Sequence, residues 1–188
     1  MKKNTIIIFA SLGLLLVACN KDEKVITPAA PGNEFITTIV IKAVNQSNLA
    51  DTVTAIWKDL TPGDATPPTQ TDTLKLKINT IYNASIFFLD ETQSPIGDIT
   101  EDILARANYH LVCFQPSLFT AVSAFSITAT DLDGNTPALP IGLQNKITTL
   151  NADFGNINLQ LLHQPNIKDG SCGIGSADVN VDFKVSIQ

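Results

Sequence analysis

The sequence predicts an all-β fold built as a sandwich, with one short helix. Apolar residues recur with a period of two through most of the chain, as strands with one buried and one wet face require. Turn-forming Gly, Pro, Asn and Asp clusters separate these stretches. Charged residues make up only 16% of the chain and the hydrophobic fraction is 44%, so a packed core is affordable and disorder is excluded.

In chain order, the first expected strand is Ile36–Val44, followed by Val53–Lys58. A loop at Thr61–Thr71 carries three prolines and reads as an exposed excursion. Leu74, Leu76 and Ile78 alternate with Lys75 and Lys77, and Ala84–Asp90 continues the pattern. Asp98-Ile99-Thr100-Glu101 then has the form of a capping box. Ile99, Ile103 and Leu104 fit one face of a short helix, about 99–108. Strands resume at Tyr109–Phe114, at Phe125, Ile127 and Ala129, at Ile141–Leu150, and at Ile157, Leu159 and Leu161. The last strand has Val179, Val181, Phe183, Val185 and Ile187 on its apolar face. Asp178, Asn180, Asp182, Lys184 and Ser186 lie on its wet face. Eight or nine strands with one helix indicate a β-sandwich of immunoglobulin-like or transthyretin-like type.

Residues 1–18 read as a signal peptide. Lys2 and Lys3 precede the apolar run Ile6–Val17, which is short for a hydrocarbon layer of about 30 Å. Leu16-Val17-Ala18-Cys19 resembles the lipobox of bacterial lipoproteins. That resemblance implies a diacylglycerol on Cys19, an acylated (palmitate-type) amine and a membrane anchor. Asn20-Lys21-Asp22-Glu23-Lys24 is similar to an export signal for the outer membrane and cell surface. Residues 19–34, with Pro28, Pro31 and Gly32, form a lipidated tether, which leaves 35–188 for the sandwich domain. The net charge of −6 argues against nucleic acid as a partner.

With Cys19 assigned to lipid, Cys113 and Cys172 remain, in a compartment that permits disulfides. A disulfide and two separate thiols are both open readings. The chain has two histidines. His110 opens one strand and His163 ends another, each on its strand's apolar face. If those strands are antiparallel neighbours, the imidazoles meet and can share Cu or Zn, with Tyr109, Asp169 or a cysteine completing the shell. The alternative is a rim histidine bonded to a backbone carbonyl. Asp131-Leu132-Asp133-Gly134-Asn135 resembles the start of a calcium loop, with Asp131, Asp133 and Asn135 as ligands. It lacks the EF-hand's Gly at six and Glu at twelve, so a hairpin tip with Asp-Gly at positive φ is the preferred reading. Trp57 and Tyr82 are candidate ligand contacts or core residues.

Gly97–Glu101, His110-x-x-x-Phe114, Asp131-x-Asp133-Gly134-Asn135 with Pro140–Leu143, Leu161–Pro165 and the Asp178–Val185 strand together resemble a family of small outer-membrane lipoproteins of unknown function. Its members are sometimes labelled "type 1 periplasmic binding fold". That label implies an α/β fold with two lobes, whereas the residues here alternate as strands. The resemblance brings no established activity. No nucleophile elbow, phosphate loop, dinucleotide motif or zinc-protease motif occurs, so a non-enzymatic binding or interaction module is expected. Its partners would be the membrane through the lipid and an outer-membrane transporter or a surface glycan. A metal-handling lipoprotein using His110 and His163, or a structural envelope protein, is the alternative.

Overall fold

The structure is a computed structural model and describes residues 34–188. The signal peptide, the lipidation site Cys19 and nearly all of the tether lie outside the described residues. Eleven strands and one helix follow in order: β1 (Thr38–Asn45), β2 (Thr52–Lys58), β3 (Gln70–Thr71), β4 (Thr73–Leu76), β5 (Ile81–Asp90), β6 (Gly97–Asp98), α1 (Ile99–Ala105), β7 (His110–Ser117), β8 (Phe125–Ala129), β9 (Gln144–Thr149), β10 (Asp153–His163) and β11 (Ser176–Ile187).

These strands form two sheets, as the period of two implies. The larger runs β3-β2-β1-β5-β9-β8, with β6 paired to β5, and the smaller runs β4-β11-β10-β7. All pairings are antiparallel except β11 with β4. Ile39, Ile41, Tyr82, Ile86, Phe88 and Ile147 from the larger sheet share one core with Leu74, Leu76, Ile157, Leu159, Val181 and Phe183 from the smaller. Each such buried side chain contributes about 1.5–3 kcal/mol of transfer free energy before conformational entropy is charged against it. Pro116 sits in β7 without breaking a ladder, because β7 is an edge strand.

Several local expectations shift. Ile78 lies past the end of β4 and is exposed. Gln70 and Thr71, expected in the proline loop, pair as β3 with Lys58 and Trp57. Leu104 faces solvent, because α1 buries only Ile99 and Ile103. The capping box is half made: Asp98 caps the helix by accepting from the Thr100 backbone N–H at 3.0 Å. Thr100 also locks α1 to β5, accepting from Phe88 N–H and donating to Phe88 C=O. Trp57 and Tyr82 both belong to the core, so neither serves as a ligand contact. The Tyr82 hydroxyl accepts from Lys77 N–H at 2.9 Å.

Candidate metal centre

β7 and β10 are antiparallel neighbours, and their register sets His110 directly opposite His163. The ring centroids are 5.0 Å apart. His110 is held by the turn before it, where its Nδ1 lies 3.1 Å from the Arg106 carbonyl oxygen. A carbonyl only accepts, so Nδ1 carries the proton and Nε2 presents a lone pair. That Nε2 is buried and has no hydrogen-bond partner.

The third member is Asp178. Alternation along β11 assigns it to the wet face, and the structure corrects this. Leu161 pairs with Val179 and Leu162 with Ala177, so the register slips and Asp178 is the extra residue of a β-bulge. A bulge leaves one residue unpaired and re-aims its side chain. Here it turns the carboxylate toward the two imidazoles and out of water. Neither oxygen of Asp178 has a hydrogen-bond partner, and its side chain, like that of His110, is 0% exposed.

Asp178 Oδ2 lies 3.9 Å from His110 Nε2 and 4.0 Å from His163 Nδ1. These separations are too long for hydrogen bonds. They suit donors around an ion: a tetrahedral shell at about 2.0–2.1 Å places neighbouring donors roughly 3.4 Å apart, a closure of about half an ångström. All three donor atoms fall within 4.8 Å of one another. Protonation agrees with that chemistry. Burial pushes the His110 imidazole down to about 4, outweighing the Arg106 carbonyl. Burial likewise pushes the Asp178 carboxyl up to about 6, against the pull of His163. At neutral pH the imidazole is therefore an uncharged donor, and the carboxylate is largely ionised with no hydrogen bond to either oxygen.

The other expected shell members are elsewhere. Cys113 and Cys172 are joined as a disulfide, with Cα atoms 5.8 Å apart, so neither of these two offers a thiol. Asp169 accepts from the Ser171 N–H in an exposed turn. Tyr109 contributes its carbonyl to the Gln164 N–H.

The proposed calcium ligands are spent on protein donors. The Asp131 carboxylate accepts from the N–H groups of Gly142, Leu143 and Gln144. Asp133 accepts from the N–H groups of Asn135 and Leu139, and from the Lys168 ammonium at 2.9 Å. Asn135 donates its side-chain amide to Asp133. Nor is this segment a tight hairpin tip. Gly134 does not take a positive φ, and the link from β8 to β9 is a long loop closed by a Leu132–Pro140 bridge.

At the other end of β10, a shallow groove of about 470 Å³ is lined by Leu118, Phe154, Asn156 and Lys184, among others. It gathers no titratable cluster.

No family model matches this chain, and neither do any of the curated proteins or solved structures compared with it.

Proposed function

We propose that this domain binds one borderline transition-metal ion, Zn²⁺ or Cu²⁺, through His110, His163 and Asp178. The observation that carries this reading is the unpartnered Asp178 carboxylate facing an unpartnered imidazole nitrogen. A buried carboxylate left without hydrogen bonds costs several kcal/mol in general. A cation at the centre of the three donors removes that cost and uses all three free atoms. Two imidazoles with one carboxylate is a nitrogen and oxygen set suited to Zn²⁺ or Cu²⁺ rather than to calcium.

The reading extends to the whole chain as a metal-handling, non-enzymatic lipoprotein of the outer membrane, held by the lipid on Cys19. The lipobox residues support that placement. Elemental analysis of untagged, full-length protein after Zn²⁺ or Cu²⁺ loading and dialysis tests the proposal. One ion per chain is expected, with loss of the ion in His163→Ala and Asp178→Asn. A chain that retains no ion, or that retains it in both variants, overturns it.

A further inference from the structure

Three protein donors leave one position of a tetrahedral shell to fill. Glu34 approaches the cluster from the side of His110. This is the first described residue, lying just before β1, and its Oε1 is 3.8 Å from His110 Nε2. That is as near as Asp178 comes to the same nitrogen. The Glu34 side chain is only 12% exposed, although it sits where a solvated linker was expected. Its carboxylate is ion-paired with the Arg106 guanidinium.

Arg106 is the C-cap of α1, and it touches two members of the cluster in different ways. Its backbone carbonyl fixes the His110 ring, while its guanidinium holds Glu34. A metal-binding histidine needs its second nitrogen bonded to an acceptor, and a metal-binding carboxylate is itself held by donors. A carboxylate has about four lone-pair sites, so Glu34 can serve Arg106 and an ion together. The charges also favour this. Glu34 and Asp178 place carboxylate oxygens 3.8 and 3.9 Å from His110 Nε2, and one guanidinium, that of Arg106, is paired with Glu34.

We propose that Glu34 is the fourth donor of the centre, positioned by Arg106, so that the ion closes a four-donor cage and ties the start of the domain to β7, β10 and β11. This rests on the metal-binding reading above and deepens it. A closed cage retains an ion and leaves no site for a reacting water. It also couples the ion to the segment that joins the domain to its tether.

The test uses full-length protein freed of metal by chelation. Zn²⁺ affinity is measured by competition with a chelating dye, and amide hydrogen exchange at Phe35 and Ile36 is followed with and without Zn²⁺. Glu34→Gln should weaken Zn²⁺ binding at least tenfold and abolish the Zn²⁺-induced slowing of exchange. Arg106→Gln keeps the carbonyl on His110 and removes the guanidinium, and it should weaken binding about tenfold. Glu34→Asp should restore part of the affinity. Wild-type protein that binds Zn²⁺ with no change in exchange at Phe35 and Ile36 overturns the inference, whether or not the Glu34 variants fold. Equal affinity in wild type and a folded Glu34→Gln protein also overturns it and leaves the three-donor site standing. If wild type takes up no Zn²⁺ at all, the metal reading falls as well.

Discussion

Gly142 has a φ of +85°, and a Cβ added there would sit 2.4 Å from the Val112 carbonyl oxygen. The neighbouring contact is a short one, because Val112 N–H donates to Ile141 C=O at 2.7 Å. Backbone therefore meets backbone with no flexible side chain to yield. Gly142→Ala should destabilise the fold by about 2–3 kcal/mol or more, combining the left-handed penalty with the clash. Gly134→Ala is the matched control, since nothing lies within 4 Å of a Cβ there, and its urea midpoint should barely move. Equal midpoints for the two variants would contradict this account. The sequence marks Asp133-Gly134 as the glycine that matters, by the usual turn chemistry. It gives no local sign that Gly142 is the constrained one, because the clashing atom belongs to a strand far away in the chain.

Among the elements, the strands were legible because alternation is a local property that most of the sheet preserves. The facing pair His110 and His163 follows from the same parity, once β7 and β10 are antiparallel neighbours. Asp178 escapes that logic. A bulge breaks parity without changing composition, so its inward turn becomes visible only in the register of β11 against β10. Glu34 escapes for another reason, since no period describes the irregular lead-in to β1. The disulfide belongs to this scale as well. It ties Cys113, packed on the outside of the smaller sheet with Leu111 and Leu162, to the loop that carries the chain from β10 into β11. The bonded cysteines are 59 residues apart, so the chain-entropy model gives about 4 kcal/mol of stabilisation. Reduction, or Cys172→Ala, should lower the unfolding free energy by an amount of that order. A loss below about 1 kcal/mol would mean that the loop is held by its own bonds, chiefly those from the Gln164 amide to Ser171 and Ile174 C=O.

At the scale of the whole molecule, the two sheets are joined at one end by a buried ion pair outside the apolar core. Lys168 lies in the β10–β11 loop of the smaller sheet, and Asp133 in the β8–β9 loop of the larger. Their charged groups are 2.9 Å apart, with side chains 2% and 0% exposed. Lys168 also donates to Ala107 C=O at 2.8 Å, which draws in the segment after α1. Burial alone would raise the Asp133 pKa. The Leu139 N–H, the Lys168 ammonium and the Asn135 N–H outweigh it and hold the carboxyl below its ordinary value of 3.8. A carboxyl whose folded-state pKa is depressed binds fewer protons than its unfolded counterpart. Its contribution is therefore complete above about pH 4 and disappears as the pH falls through the lower folded value. Asp133→Asn should cost about 3 kcal/mol at neutral pH, because it leaves Lys168 as a buried charge without its counter-ion. The same variant should lose less stability than wild type between about pH 4 and pH 2, having no carboxylate left to protonate. Urea unfolding midpoints of both proteins across that range decide the matter. Parallel acid limbs would show that the pair does not hold the two layers together, and the shared apolar core would then have to account for their union.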